Sequence, residues 1–162
     1  MSKSDLVPIS LPARDIPPPV TISAVARAAL SEGALAPAPE WPPADDVATW
    51  RKAVAEGMAM WEPIAAQALG ACRASVETRQ IGGVTCHVAT PAGGGEGPVY
   101  LFMHGGAFAF GGGPYAKMQA ALQTDRLGVT TVSVDYRTPP DHPFPAAPED
   151  CFAVYKALIA QL

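Results

Sequence analysis

Charge, cysteine and long apolar runs are all scarce in this sequence of 162 residues, and each scarcity excludes a class of protein. Charged side chains make up 16% of the residues and the formal net charge is −4, so neither nucleic acid nor an anionic membrane is expected as a partner. No stretch approaches the roughly 18 apolar residues of a membrane span. The N-terminus lacks the apolar run and cleavage site of a signal peptide. A cytoplasmic protein is the simplest expectation.

The three cysteines, Cys72, Cys86 and Cys151, are an odd number without CxxC spacing. This pattern predicts buried, reduced thiols and favours neither disulfides nor a metal site. No metal and no cofactor are expected.

Hydrophobic residues make up 49% of the chain, which is enough for the packed core of one ordinary domain. Residues 1–44 hold half of the 18 prolines, in extended spacers such as "IPPPV" and "APAPEWPP". Between these spacers, "TISAVARAALSEG" predicts a short helix with Thr21 as its N-cap and Gly33 as its end.

A second helix is predicted to begin after Asp45 and Asp46, whose carboxylates suit the positive end of a helix. Pro63 should kink or restart this helix, and Gly70 can end it. Its apolar side chains recur every three or four residues, which indicates a packing surface and leaves the lining of a substrate pocket as an alternative. This apolar stripe comprises Val47, Trp50, Val54, Met58, Trp61 and Ala65.

From residue 73 the pattern changes from helical to extended. "ASVETRQI" and "VTCHVAT" flank Gly82 and Gly83 and predict a β-hairpin. "VYLFM" and "VTTVSVDY" then have the composition of buried strands, and helices are predicted to follow them over "PYAKMQAALQTDRLG" and "DCFAVYKALIAQL". The alternation predicts an α/β fold with parallel strands joined by right-handed crossover helices. We expect a helical N-terminal segment over residues 1–72 and the core over residues 73–162.

The stretch "VYLFMHGGAFAFGGG", residues 99–113, runs from an apolar strand directly into a glycine-rich loop. Such a loop brings backbone N–H groups close to a phosphate or to the oxyanion of a reacting ester. Asp135 suits a ribose-binding carboxylate. However, the loop contains neither GxGxxG nor GxxxxGK[ST], and about ten residues separate Met103 from the next helix, which is long for a pyrophosphate turn. A nucleotide-binding βαβ module therefore remains only an alternative.

The oxyanion interpretation fits "HGGA" better, because glycines without a Cβ let successive N–H groups approach a substrate. Each such donor is worth about 10² to 10³ in rate. We expect Phe108 and Phe110 to pack beneath the loop. A merely structural glycine-rich turn is the competing interpretation.

The segment from Val99 to about Ala157 resembles the bacterial carboxylesterases of the hormone-sensitive lipase family, which have the α/β-hydrolase fold. Three motifs carry the resemblance in order and spacing: "HGGAFAFGG", "VSVDYR" and "PPDHPFPAAPED", the last similar to the family's "APEHPFPAALED". The resemblance implies a hydrolase of short-chain acyl esters. It also implies that the chain is the N-terminal half of the hydrolase sheet, consisting of the hairpin and two parallel strands with crossover helices, preceded by a helical cap.

The same resemblance assigns roles to residues of the loop. It makes Gly106 and Ala107 the oxyanion-hole donors, with Gly105 allowing close approach and His104 orienting the loop. Ala107 stands where the family commonly has a third glycine. Its Cβ should narrow the acyl site or exclude bulky alcohol groups, while its N–H still donates.

At the end of the last strand, the resemblance makes Asp135, Tyr136 and Arg137 a structural anchor. Glu149 and Asp150 are the candidate ion-pair partners of Arg137.

The nucleophile that this chemistry needs is absent from the sequence. Esterases of this kind use a Ser on a GxSxG turn, followed by an acid and then a His. His87 lies in a strand and His142 in a proline-rich loop, both upstream of the expected catalytic His. No serine has the GxSxG context; the serines are Ser2, Ser4, Ser10, Ser23, Ser31, Ser75 and Ser133. We therefore expect this chain alone to be inactive.

In the sheet order that the resemblance implies, the strand that pairs with the free side of "VYLFM" would likewise have to come after residue 162. We expect a C-terminal segment, a second chain or a swapped copy of this chain to complete the fold and supply the Ser-Asp-His triad. The predicted function is hydrolysis of small-molecule carboxylic esters. A catalytically inactive fragment that binds or scaffolds is the alternative, followed by the nucleotide-binding module.

Overall fold

The computed structural model describes residues 12–13, 15–35 and 40–161, which belong to two compact units divided between residues 41 and 42. In the first unit, helix α1 spans Ala24–Leu35. The Ala26 N–H donates to Ser23 Oγ at 3.2 Å, so Ser23 is the N-cap and the prediction of Thr21 is wrong. Ser23 caps because it directly precedes the helix. The predicted end at Gly33 is also wrong, because the helix continues to Leu35. A glycine inside a helix lowers its stability by only about 1 kcal/mol, which is too little to end it.

Residues 36–39 of the predicted proline spacer over residues 36–43 lie outside the described residues. The N-terminal stretch over residues 1–11 lies entirely outside them. The "IPPPV" spacer contains neither helix nor strand.

The second unit contains three helices and four strands within residues 42–161. The elements are α2 (Val47–Ala71), β1 (Ser75–Ile81), β2 (Val84–Thr90), β3 (Val99–Met103), α3 (Pro114–Leu127), β4 (Thr130–Val134) and α4 (Ala146–Ile159).

Helix α2 begins and ends close to the predicted residues. Asp46 is its N-cap, accepting the Thr49 N–H at 3.0 Å and the Thr49 hydroxyl at 2.6 Å. The helix runs on through Pro63 without restarting and ends at Ala71, one residue after Gly70. Packing of α2 on α3 compensates for the hydrogen bond that Pro63 removes. This α2 belongs to the same compact unit as the sheet, and the predicted domain boundary at residue 72 stays a prediction.

The four strands form one mixed sheet in the order β1-β2-β4-β3. β1 and β2 are antiparallel, and the turn between them uses Gly82 and Gly83 at φ values of 60° and 81°, which only glycine adopts without strain. β2 pairs antiparallel with β4, and β4 pairs in parallel with β3. The predicted hairpin and the predicted parallel pair are both confirmed.

The core lies between the sheet and α4. It is built mainly from β2, β4 and the inner face of α4, and β4 is buried along nearly its whole length. Helix α4 begins at Ala146, four residues before the predicted start at Asp150. Pro148 is tolerated there because the N–H groups of the first helical turn have no partner within the helix, so the N–H that proline lacks is not missed. The core side chains include Cys86, Val88, Val132, Val134 and Val154.

Strand β3 departs from its prediction as a buried strand. Val99, Tyr100 and Met103 are exposed. β3 lies at the end of the strand order, and within residues 40–161 no strand pairs with its outer edge. A row of backbone N–H and C=O groups is consequently unpaired along β3.

The three cysteines are not joined by disulfides. Cys86 is buried as predicted, whereas Cys72 and Cys151 are only half-buried. Burial, together with nearby Asp135 and Cys151, raises the pKa of Cys86 to about 12, so this side chain remains a thiol at neutral pH. Among the described residues, no helix is long and apolar enough to cross a membrane, and no group of three His, Cys, Asp or Glu is placed to hold a metal ion.

Candidate functional site

The glycine-rich loop, residues 104–113, connects the carboxyl end of β3 to α3. Because β3 and β4 are parallel neighbours, their carboxyl ends meet at one edge of the sheet. The loop therefore lies beside residues 135–137, which follow β4 directly. The structure thus brings together the two motifs that are separated by about thirty residues in the sequence.

Three consecutive backbone N–H groups of the loop are unused. Gly105, Gly106 and Ala107 are exposed, and within the described ranges their N–H groups donate to no acceptor. The chain turns back on itself just after them, because the N–H groups of Ala109 and Phe110 both donate to the Gly106 carbonyl, at 3.0 and 2.9 Å. The loop therefore keeps its unused donors next to one another on a hydrogen-bonded turn.

Two glycines of this loop are required by sterics. Gly106 has φ 129°, and a Cβ there would collide with the Phe110 carbonyl. Gly111 has φ 100°, and a Cβ there would lie 2.6 Å from His104 Nδ1 and would collide with the Gly105 carbonyl. The turn is so tight that Ala107 and Phe108 also have left-handed φ values, 53° and 60°. Each of these non-glycine residues carries about 1–2 kcal/mol of backbone strain.

His104 supports the start of the loop from below. It is buried, its ring stacks on Tyr136 with the centroids 4.0 Å apart, and Nδ1 donates to the Gly105 carbonyl at 3.1 Å. The Tyr136 hydroxyl donates to the His104 carbonyl at 2.6 Å. Burial lowers the pKa of His104, against smaller opposing effects of Gly105 and Asp135, so the ring is neutral at pH 7. This arrangement suits a residue that orients the loop.

Asp135 holds the other end of the loop. Oδ1 accepts the Gly113 N–H at 2.9 Å, and Oδ2 lies 3.3 Å from His87 Nε2. Burial raises the pKa of Asp135, but the hydrogen bonds from His87 and Gly113 outweigh it and the pKa is lowered overall. The carboxylate therefore occupies the N-terminus of α3, where a nucleotide phosphate would otherwise bind. This contact disfavours the nucleotide-binding alternative.

Sequence reasoning missed the part that His87 plays in this site. His87 Nδ1 lies 3.0 Å from Thr78 Oγ1 on β1, so the ring connects the hairpin to Asp135. The register of β2 on β4 places His87 opposite Ser133, two residues before Asp135. Only the strand pairing brings these groups together, and no motif in the sequence signals it.

Arg137 forms its ion pair with Asp150, which decides between the two candidate partners. The Arg137 Nε and Nη2 atoms lie 2.8–3.1 Å from the carboxylate oxygens, and the Arg137 backbone N–H donates to Oδ2 at 2.9 Å. Burial raises the pKa of Asp150, but the bonds from Arg137 more than offset this and the pKa is lowered. The pair connects the end of β4 to the N-terminal half of α4.

The two phenylalanines of the loop behave differently from each other. Phe110 packs on α2, where a Cβ at Gly57 would lie 2.9 Å from its ring. Phe108 is 61% exposed, so the prediction that it packs beneath the loop is wrong. The reason is the turn at Gly106, which reverses the chain before Phe108 can reach the core side.

Helix α2 contributes more to the site than a packing surface. Met58 Sδ accepts the Gly111 N–H at 3.2 Å, so the helix contacts the loop backbone directly. Met58 and Trp61 line a cavity of about 250 Å³ beside Gly105 and Gly106. Trp50 lines a second cavity, of about 460 Å³, on the Ala107 side. These contacts support the alternative interpretation of the apolar stripe, namely the lining of a pocket.

The described part of the second unit contains no serine near the loop. Ser133 is buried within β4, and Ser75 begins β1 at the far edge of the sheet. His142 lies in the proline-rich loop and lines an apolar cavity with Phe108. Ser2, Ser4 and Ser10 lie outside the described residues.

Comparison with known proteins gives consistent matches. Residues 100–162 match a family model described as the α/β-hydrolase fold. An acetyl-hydrolase of Streptomyces hygroscopicus is 36% identical over 66 residues, which is 41% of this chain and 22% of that protein. The carboxylic ester hydrolase LipN of Mycobacterium tuberculosis is 37% identical over 65 residues, 40% of this chain and 17% of that protein.

Two solved structures are similar over longer stretches. A crystal structure of an esterase named E25 matches 96% of this chain and 49% of its own, with a TM-score of 0.71 and 29% identity. A hormone-sensitive lipase from a metagenome library matches 76% and 38%, with a TM-score of 0.57 and 28% identity. The chain thus spans about half of E25 and about a fifth of the two curated relatives. The chain has the α/β-hydrolase fold and is similar to an N-terminal part of esterases of the bacterial hormone-sensitive lipase family.

Proposed function

We propose that this chain supplies the cap and the oxyanion hole of a serine carboxylesterase that hydrolyses short-chain acyl esters. The observation that carries the proposal is the run of unused N–H groups at Gly105, Gly106 and Ala107, at the carboxyl end of β3. The relatives named as ester hydrolases and the structure named as an esterase support it.

The chemical role of these amides follows from the charge that develops during ester cleavage. When an alcohol attacks an ester carbonyl, the carbonyl oxygen becomes negatively charged. Donors fixed in advance stabilise that oxyanion by about 3–4 kcal/mol each. His104 and Asp135 hold the two ends of the loop, so the donors of Gly106 and Ala107 need not be ordered during the reaction.

The nucleophile would come from a segment that pairs with the free edge of β3. A strand parallel to β3 ends at the same sheet edge as the loop. A serine just beyond that strand would therefore lie beside the oxyanion donors. Leu101 and Met103 of β3, with Phe152 and Tyr155 of α4, form an apolar groove of about 510 Å³ next to this edge that such a segment could cover. A C-terminal segment or a second chain would also carry the acid and the histidine of the triad.

Reconstitution tests this proposal. The chain alone should not hydrolyse p-nitrophenyl acetate, because no serine in the described part of the second unit lies near the loop and none in the sequence has the GxSxG context. The chain joined to a segment with a Ser-Asp-His triad, the completed enzyme, should hydrolyse it and should be labelled at serine by a fluorophosphonate. The matched control is the completed enzyme with the nucleophilic serine replaced by alanine. Turnover by the chain alone, or an inert and unlabelled completed enzyme, would contradict the proposal.

A further inference from the structure

Resting on the proposed function, we infer that the substrates carry one bulky, uncharged apolar substituent and that the cavity beside Ala107 binds it. This cavity, called the Trp50 cavity below, has a volume of about 460 Å³, within the range of about 300–1,000 Å³ typical of small-molecule sites. Its lining residues are Ala44, Val47, Trp50, Ala107, Ala109, Pro139, Pro140 and Pro143.

The Trp50 cavity is placed to receive a group attached to the reacting carbonyl. Ala107 both lines the cavity and offers one of the unused N–H groups. A carbonyl oxygen held by that N–H brings one substituent of the carbonyl carbon to the mouth of the cavity. The smaller cavity, of about 250 Å³, lies beside Gly105 and Gly106 in the same loop.

The two unequal cavities match the two substituents of an ester. The carbonyl carbon carries an acyl chain on one side and an alkoxy group on the other. The two substituents therefore extend from the oxyanion site in different directions. The cavity beside Gly105 and Gly106 accommodates the short substituent, and the Trp50 cavity the bulky one.

The chemistry of the lining excludes charged substituents. No lining residue of the Trp50 cavity carries a charged or hydrogen-bonding side chain apart from the Trp50 indole, and the indole N–H donates to the Pro43 carbonyl at 3.0 Å. A charged group would lose its hydration there without gaining a side-chain partner, since the Ala107 N–H is taken by the carbonyl oxygen. Aromatic and branched alkyl groups gain from the same transfer because they leave water.

The walls of the cavity are held together across the chain. Arg51, next to Trp50 on α2, forms an ion pair of 2.6 Å with Asp141 in the proline-rich loop. The helix wall and the proline wall are therefore connected beside the cavity, although the pair is exposed and contributes little to stability.

Filling the cavity from its helix wall tests this inference. In the completed enzyme, kcat/KM would be measured for 2-naphthyl acetate against ethyl acetate, and for methyl 2-naphthoate against methyl acetate. The first pair places the bulk in the alcohol and the second in the acyl group. Val47→Phe should lower the bulky-to-small ratio about tenfold or more in at least one pair. Ala48→Phe, which adds the same bulk at an exposed neighbour outside the cavity, should keep the wild-type ratio in both.

The outcomes separate this inference from the proposed function. Hydrolysis with unchanged ratios in Val47→Phe would overturn the Trp50 cavity while leaving the esterase intact. Failure to hydrolyse any of the four esters would overturn the proposed function and this inference with it. If circular dichroism shows that Val47→Phe does not fold, Ala44→Phe fills the same cavity from the residues before α2 and gives the same readout.

Discussion

Gly111→Ala is the substitution that tests most directly whether the glycine-rich loop has the tight form described above. The new Cβ would lie 2.6 Å from His104 Nδ1 and would collide with the Gly105 carbonyl, on a backbone with φ 100°. The left-handed backbone costs an alanine about 1–2 kcal/mol, and the collision adds about 1–3 kcal/mol as overpacking. We expect the free energy of unfolding to fall by about 2–5 kcal/mol in total.

Gly94 provides the matched control for this prediction. Its φ is 105°, almost the same as that of Gly111, but a Cβ there would meet no atom within 4 Å. Gly94→Ala should therefore show only the backbone cost of about 1–2 kcal/mol. Urea unfolding of the wild type and both variants, followed by circular dichroism, measures the difference. If Gly111→Ala loses no more stability than Gly94→Ala, the packing of Gly111 against His104 is incorrect.

Three further predictions concern the anchors and donors of the loop. In the completed enzyme, Ala107→Pro removes one N–H donor and cannot adopt the φ of 53° at this position, so kcat should fall at least about 10²-fold; Ala107→Gly keeps the donor and fits this φ, so it should retain most activity. Asp150→Asn should cost about 2 kcal/mol at pH 7 in urea unfolding, compared with little for the exposed Glu149→Gln. Because the pKa of Asp150 is lowered in the folded state, the stability difference between wild type and Asp150→Asn is present above the ordinary carboxyl pKa range. It should disappear as the pH falls below about 4, where Asp150 becomes protonated. A difference that stays constant with pH would contradict the ion pair. His87→Leu should speed amide hydrogen exchange at Gly113 through loss of the bond to Asp135, and His87→Gln, which can donate to the same carboxylate, should restore slow exchange; equal exchange in both variants would refute that link.

Local patterns in the sequence were sufficient for much of the fold. The glycine pair at Gly82 and Gly83 predicted the hairpin because only left-handed residues fit a two-residue turn. Gly128, at φ 71°, likewise ends α3 as predicted. The N-cap of α1 could not be chosen from the sequence, because Ser23 and Thr21 are both good N-cap residues. The choice depends on the residue at which packing starts the helix.

The candidate site divides in the same way. The unused donors and the residues beside them were predicted from motifs, since glycines and the polar residues that follow strands leave a signal in the sequence. Contacts set by tertiary packing were not predicted. The bond of Met58 to Gly111 depends on how α2 lies across the loop, and that of His87 to Asp135 depends on strand register. The exposure of Phe108 depends on the turn in which the Gly106 carbonyl accepts the N–H groups of Ala109 and Phe110.

The contacts between α2 and the loop have a mechanical consequence. The Met58 thioether binds the Gly111 N–H, and the Phe110 ring fills the space that Gly57 leaves open on the helix. Any outward movement of this helix would pull on the same short peptide segment that carries Gly105–Ala107. If substrate enters and product leaves by such a movement, the hydrogen bonds from the loop N–H groups to the carbonyl oxygen would weaken at the same time. Substrate entry and stabilisation of the oxyanion would then take place at different stages of each catalytic cycle.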